Sequence, residues 1–156
     1  MTWDELGDYF ETLSENLLED VPDIIAETAT EHFKESFQKK EFDGNPWPAA
    51  KVAKRTGSLL VESGNLVNSI RPAYVGKDKV VISAGNDKVA YAQVHNEGYQ
   101  GPVTIPAHTR RTKAGIANVR QHTRTANIPQ RQFMGKANEL LSLIYARITN
   151  AIQSRL

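Results

Sequence analysis

Residues 101–129, GPVTIPAHTRRTKAGIANVRQHTRTANIP, contain the pattern that decides how the middle of the chain folds. An Ile-Pro pair bounds each end, His-Thr-Arg occurs twice fourteen residues apart, and Lys113-Ala114-Gly115 lies near the centre. This arrangement predicts a long β-hairpin arm from about 102 to 128. Because few large apolar side chains follow Ile105, the arm cannot bury a core of its own. We expect it to extend into solvent or to pack on another subunit.

Helical patterns lie on either side of this region. Apolar residues recur at spacings of three and four near the start of the chain, which predicts a helical N-terminus over 1–41. Pro22 leaves two arrangements open, because proline is tolerated in a first helical turn. The chain forms either two helices, at about 2–19 and 22–40, or one helix kinked at Pro22. A second apolar stripe predicts a C-terminal helix at about 133–155 that closes the core.

Shorter elements are expected between these helices. Two strands are predicted at about 71–75 and 79–84, the second of them rich in β-branched residues. Residues 89–96 resemble a short helix, with Gly98 available as its C-cap. Trp47 stands in a cluster of turn-forming residues and is too large to leave exposed at low cost, so we expect it to plug the edge of the domain.

These patterns together predict an α+β fold, in which an antiparallel sheet is packed by N- and C-terminal helices and carries a long protruding β-hairpin arm. The 156 residues are one domain's worth of sequence, so we expect a single domain over 1–156. A chain of this size buries roughly 70% of its unfolded surface and needs no covalent staples.

The net charge of +1 conceals a strong division along the chain. Residues 1–45 carry thirteen Asp or Glu and three Lys, a net charge of −10, whereas residues 98–156 carry nine Lys or Arg and the single acid Glu139, a net charge of +8. Two interpretations stay open. Each half has a solvated polar face, or an acidic surface over residues 4–35 of one subunit meets a basic surface of its neighbour.

A cluster of cations in the arm is the candidate partner-binding site. Its members lie within fifteen residues that contain no acid: Arg110, Arg111, Lys113, Arg120 and Arg124. Such a cluster attracts either an acidic protein surface or a phosphate backbone, and nucleic-acid binding would then weaken steeply with salt. The arm has no aromatic residue on which bases could stack, which favours the acidic protein partner over nucleic acid.

Catalytic motifs are missing from the sequence. It has no cysteine, no phosphate-binding glycine loop, no Gly-x-Ser-x-Gly elbow and no His-Glu-x-x-His pair. His108 and His122 could lie side by side on opposite strands of the arm, but no acid occurs between Glu97 and Glu139 to complete a metal site. We therefore predict no catalytic, cofactor-binding or metal-binding residues, no small-molecule substrate, and a protein that is not an enzyme.

Membrane association is not expected either. No apolar run approaches the roughly 20 residues that a bilayer-spanning helix needs. The first five residues, Met-Thr-Trp-Asp-Glu, are polar and acidic, whereas a secretory signal begins with basic residues and an apolar stretch. The absence of cysteine fits synthesis in a reducing cytoplasm.

Four short segments, in their order along the chain, carry a family resemblance. They are FDGNPW at 42–47, SGNLVNSI at 63–70, YAQVHNEG at 91–98 and IPQRQFMG at 128–135. Each alone is ordinary turn or helix-end chemistry, but their succession resembles the phage virion morphogenesis family. The match spans about 42–135, with compatible helices on both sides.

The resemblance implies a small α+β domain that completes a phage tail or joins it to the head, as a homo-oligomer and with other neck or tail proteins, without cofactor. It implies assembly in the bacterial host cytoplasm and a place at the virion neck or tail. Within the matched segments, the expected core residues are Trp47, Leu66, Ile70, Tyr91 and Phe133. Arg131 is the candidate for a buried-edge ion pair, with Glu97 as its partner.

Overall fold

The computed structural model describes residues 2–53 and 56–156, so Met1, Lys54 and Arg55 of the predicted domain lie outside the described residues. The N-terminus forms a single helix, α1 (Trp3–Lys39), with Pro22 in its interior. Of the two arrangements left open by the sequence, one helix is therefore the correct one. Thr2 caps it, since its hydroxyl accepts from Glu5 N at 3.3 Å and the Glu5 carboxylate accepts from Thr2 N at 2.6 Å.

The core gathers around the C-terminal half of α1. Phe33 and Phe37 are buried there, and the helix leads into a small hairpin, β1 (Glu41–Phe42) and β2 (Asn45–Pro46). Trp47 follows the hairpin and stands edge-on to Phe37, with ring centroids 5.3 Å apart. The sequence-based prediction that Trp47 is buried is confirmed.

A second hairpin packs on α1. Its strands are β3 (Arg71–Val75) and β4 (Val80–Ser83), antiparallel and with an irregularity between Pro72 and Tyr74. The short helix α2 (Asn65–Asn68) precedes it and contributes Leu66 to the core. Both predicted strands are thereby confirmed within one or two residues.

The helix α3 (Ala92–Glu97) ends at Gly98, as predicted. Gly98 has φ +77°, and a Cβ added there would lie 3.0 Å from the backbone nitrogen of Gln130. Glycine is therefore required at this position for two reasons, the left-handed backbone and the close approach of another segment. Tyr91, expected in the core, is instead 43% exposed and stands edge-on to His95.

The region of the expected arm forms two consecutive two-stranded sheets. In the first, β5 (Tyr99–Ile105) pairs with β8 (His122–Ile128), and in the second, β6 (His108–Thr112) pairs with β7 (Gly115–Val119). The ladder is interrupted at Pro106, which has no N–H to donate. One continuous hairpin over 102–128 is therefore not confirmed, although both sheets are antiparallel as expected.

The C-terminal helix α4 (Asn138–Gln153) begins five residues later than the periodicity predicts. Gly135 has φ +145°, which no helix accommodates, so residues 133–137 stay outside the helix. The helix runs antiparallel to α1: Arg147 pairs with Glu31, and Arg155, further along the chain, pairs with Asp20, which is earlier in α1. The α+β class, with N- and C-terminal helices and small antiparallel sheets, is confirmed.

Asp43 caps α4 from the β1–β2 turn. Its Oδ1 accepts from Glu139 N at 3.0 Å. Hydrogen bonds from the backbones of Glu139 and Asn138 hold the pKa of Asp43 below its ordinary value of 3.8, and the charge of His32 lowers it further. The folded state therefore favours the ionised carboxylate.

Replacing Asp43 by alanine is expected to lower the melting temperature at neutral pH and to have less effect in acid. A carboxyl whose pKa is depressed by folding stabilises the protein above its unfolded pKa of 3.8, and this contribution disappears as the pH falls through the lower folded value. Thermal unfolding at pH 7 and at about pH 3 measures the difference. Asp78→Ala, on the exposed β3–β4 turn, is the control; an Asp43→Ala deficit of equal size at both pH values would contradict the capping role.

Candidate interaction surfaces and the junction of the four segments

The five predicted partner-binding cations all lie in the two consecutive sheets. Arg110 and Arg111 are on β6, Lys113 is in the β6–β7 turn, Arg120 follows β7 and Arg124 is on β8. All five side chains are exposed. None forms an ion pair with any residue of the described part of the chain, so their charge is available to a partner.

The cations face more than one direction. Arg111 lies opposite Ile116, which is 76% exposed, whereas Arg110 lies opposite Ala117. Because successive side chains of a strand point to opposite faces, the two arginines project from the two sides of the β6–β7 sheet. The positive charge therefore surrounds the sheet and is not concentrated in one groove.

The two histidines of this region do not meet. His108 lies opposite Val119 in one sheet and His122 opposite Ile105 in the other. The Nδ1 of each is 3.0 Å from a carbonyl two residues earlier, Pro106 O for His108 and Arg120 O for His122. The expectation that they could lie side by side is wrong. Among the described residues, no three potential ligands cluster as a metal site would require.

Part of the opposite charge is neutralised inside one chain. Asp20 and Glu31 of α1 bind Arg155 and Arg147 of α4, and Glu35 pairs with Lys39 at 3.4 Å. An acidic surface over all of residues 4–35 is thus not free for a neighbour. The exposed acids in the first half of the helix have no basic neighbour along it, since no lysine or arginine precedes Lys34.

Asn96, in the third segment (91–98), forms hydrogen bonds to the fourth segment (128–135). The Asn96 Oδ1 accepts from Phe133 N at 2.9 Å and from Met134 N at 3.0 Å. Asn96 O in turn accepts from Gln130 Nε2 at 3.1 Å, and Arg131 N donates to His95 O at 2.8 Å. The base of the β5–β8 sheet, where Tyr99 lies opposite Ile128, is thereby fixed to the body of the domain.

Trp47 and Arg131 form hydrogen bonds that join the first segment (42–47) and the residues after it to the fourth segment (128–135). Trp47 Nε1 donates to Gln132 O at 2.6 Å. Arg131 is only 8% exposed, and its guanidinium donates to Pro48 O at 2.9 Å and to Ala49 O at 3.2 Å. The predicted ion pair of Arg131 with Glu97 is wrong, because backbone carbonyls accept its hydrogen bonds while Glu97 accepts from Gln93.

The second segment joins the same structure through the core. Leu66 and Ile70 are buried in one cluster with Trp47 and Phe133, as expected from the resemblance. Ser69 Oγ accepts from Gly85 N at 2.9 Å, which ties this segment to the end of β4. All four segments therefore meet around a single junction, and their residues serve packing and backbone hydrogen bonding.

A cleft of about 810 Å³ lies beside the junction. Its walls are formed by residues 48–51, 59–60 and 62–66 together with Tyr91, His95 and Ile128. Arg131, the buried cation in its wall, is already held by the carbonyls of Pro48 and Ala49. Its donors therefore serve the fold at this cleft.

Among the described helices, none has a stretch both long and apolar enough to cross a bilayer. α1 has the length, but acids recur throughout it.

Comparison with known proteins gives one match. The model of the phage virion morphogenesis family matches residues 2–153, nearly the whole chain and more than the span of the four segments. No curated protein and no solved structure matches the chain.

Proposed function

Since this chain belongs to the phage virion morphogenesis family and therefore has a structural or assembly role in phage particles, we propose that it acts in tail completion or head–tail joining. It does so without catalysis, as a homo-oligomer and in contact with other neck or tail proteins of the particle. It assembles in the bacterial host cytoplasm and stays at the virion neck or tail.

One observation carries the proposal: five exposed cations of the 99–128 region have no ion-pair partner within the described chain. Unpaired charges on an otherwise polar two-stranded sheet do little for the stability of one subunit. They are suited to steering and registering an acidic surface of another protein. Arg110, Arg111, Lys113, Arg120 and Arg124 are accordingly the proposed partner contacts.

The acidic counterpart within a ring of identical subunits is the first half of α1. Its acids Asp4, Asp8, Glu11 and Glu15 are exposed and have no basic residue nearby in the sequence. Docking of the cationic sheets on this surface is a heterologous contact, which closes into a ring when the rotation between subunits suits it. Such a contact weakens as the salt concentration rises.

Replacing the five cations by glutamine is expected to abolish particle completion. In the phage or prophage that encodes the chain, deletion of the protein should leave heads and tails unjoined under the electron microscope. When supplied in trans to the deletion, the wild-type chain should give a titre of infectious particles orders of magnitude higher than the glutamine variant gives. Electrostatic registration contributes several kcal/mol of discrimination between partners.

The matched control carries the same loss of five charges on exposed cations elsewhere: Arg71, Lys77, Lys79, Lys88 and Lys136. It should complement as well as the wild type. If heads and tails join normally without the chain, the tail-completion proposal is wrong. If the arm variant complements fully, the role assigned to the five cations is wrong.

Nucleic-acid binding through the same cations is the alternative function. It predicts that the purified protein binds random duplex DNA, with log affinity falling steeply against log salt, and that the glutamine variant loses this slope. The lack of aromatic residues from 100 to 132 disfavours single-stranded partners. A shallow or absent salt slope would eliminate this alternative.

A further inference from the structure

The first half of α1 has an apolar face on which no described residue is fully buried. Buried residues of this helix begin only at Pro22. Before it, five apolar residues recur at spacings of three and four: Trp3, Leu6, Phe10, Leu13 and Leu17. Trp3 is 88% and Phe10 53% exposed, and the three leucines are partly exposed. These five residues are called the seam below.

The seam continues the face on which α4 packs. Counting in steps of seven, Trp3, Phe10 and Leu17 lead to Ile24 and then Glu31, which binds Arg147 of α4. The row of Leu6 and Leu13 leads to Asp20, which binds Arg155. Residues seven apart lie on the same helix face. α4 therefore covers this face from Asp20 onward, and the seam is its uncovered extension.

The charges near the seam point away from it. Asp4, Asp8, Glu11 and Glu15 fall on the opposite side of the helix, whereas the positions that flank the seam are the neutral residues Gly7, Tyr9, Ser14 and Asn16. A cationic partner seated on the seam would meet none of these acids. An apolar helix with neutral flanks fits it, and two copies of this same face would not repel each other.

We propose that the seam of one chain packs against the seam of a second copy, as an antiparallel helix pair. The direction follows from α4. A parallel second α1 would continue past Leu17 into the place that α4 occupies beside Asp20 to Glu31. An antiparallel one passes beyond Trp3 into open space. The two-fold axis then lies near Phe10, so that Phe10 of one chain faces Phe10 of the other.

The size of this contact fits a specific interface. The seam from residue 3 to 17 is about 21 Å long at 1.5 Å per residue. An aromatic side chain buries about 150–250 Å² when covered. With the three leucines, pairing two seams removes on the order of 1,000 Å² from water in total, which is the threshold that a specific protein–protein interface should reach.

The test is the mass of the purified full chain in about 0.5 M salt, where pairing of exposed charges is screened to a few Å. Wild type is expected at twice the chain mass of 17.4 kDa or an even multiple of it. Phe10→Glu and Phe10→Lys should each halve the mass, because like charges then face each other across the axis. An equal mixture of the two variants should recover it, since unlike charges meet.

Leu18→Glu is the matched control. Leu18 is 67% exposed on the same helix but lies off the seam, so this variant should keep the wild-type mass and the wild-type circular dichroism. A wild-type chain that is monomeric in high salt, or a mass unchanged in both Phe10 variants, overturns the proposal. Failure of the mixture to associate while each variant is folded overturns the self-pairing. None of these outcomes bears on particle completion, which the complementation experiment measures separately.

Discussion

Replacing Asn96 by alanine is expected to lower the free energy of unfolding by about 2–4 kcal/mol. The Asn96 Oδ1 accepts two backbone hydrogen bonds, from Phe133 N and Met134 N, where the chain turns toward α4. Alanine leaves both N–H groups without their acceptor, at about 1–3 kcal/mol for each group that water cannot reach. Phe133 itself is 1% exposed, so water has little access to its side of this turn.

The Asn96→Asp variant tests whether the acceptor oxygen of the Asn96 side chain is what stabilises the fold. The carboxylate has the same shape and keeps an oxygen in the place of Oδ1, and charge-assisted bonds to N–H groups are stronger than neutral ones. Urea unfolding should therefore place Asn96→Asp close to wild type and Asn96→Ala well below it. If the two variants are equally destabilised, the paired hydrogen bonds are not what Asn96 contributes.

The loss should also reach the proposed partner site. Asn96 and Gln130 fix the segment at which β5 and β8 leave the body of the domain. When that attachment loosens, the five cations of the sheets lose their fixed position relative to α1. A folded Asn96→Ala variant is expected to complement particle assembly less well than its remaining stability alone would allow.

Much of the fold could be predicted, because periodicity reports burial directly. The spacing of apolar residues gave α1, α4 and the β3–β4 hairpin, and the size of Trp47 predicted its burial. The helix start at Asn138 was missed, because Phe133 and Ala137 are buried although they precede the helix, and their spacing has the period of a helical stripe. Only the positive φ of Gly135 breaks that pattern, and the presence of a glycine in a sequence does not reveal its backbone conformation.

Asn96 could not be singled out from the sequence. A polar residue near the end of a short helix has no periodicity, and its partners lie 37 and 38 residues away. The usable signal was indirect: Asn96 stands two residues before the C-cap Gly98, within one of the four quoted segments. The pairing of Arg131 was mispredicted for a related reason, since an acid is visible in a sequence whereas an unpaired backbone carbonyl is not.

The division of charge along the chain was visible in the sequence, but the sequence did not show which of the charged residues pair within one chain. Ion pairs between α1 and α4 depend on the antiparallel packing of two helices whose paired residues lie 116 and 135 positions apart. Once those pairs are assigned, Asp20, Glu31 and Glu35 are engaged within the described chain, whereas the five cations of the candidate site have no ion-pair partner there. The sequence alone could not separate these two populations.

Replacing Arg131 by methionine is expected to cost about 2–4 kcal/mol of stability. The side chain is 8% exposed, and its guanidinium spans two carbonyl oxygens, at 2.9 Å on Pro48 and 3.2 Å on Ala49. Hydrogen bonds to a charged group contribute about 1.5–3 kcal/mol each, and solvent near the exposed loop at 48–51 recovers part of that loss. Methionine keeps the length of the stem, so the change measures the donors rather than a cavity.

Arg131→Lys should recover little of this stability. A lysine ammonium is a single point charge and cannot present the planar fork by which Nε and Nη2 donate to the carbonyl oxygens of Pro48 and Ala49. It is also more strongly hydrated than guanidinium. Arg120→Met is the control for the loss of one positive charge, because Arg120 is exposed and should change the unfolding free energy little. Chemical denaturation of the three variants gives the comparison. Full stability in Arg131→Lys would mean that the positive charge alone holds the loop. If the two hydrogen bonds of the guanidinium hold it, both replacements should release residues 48 and 49 from the junction and expose the edge of the domain at Trp47.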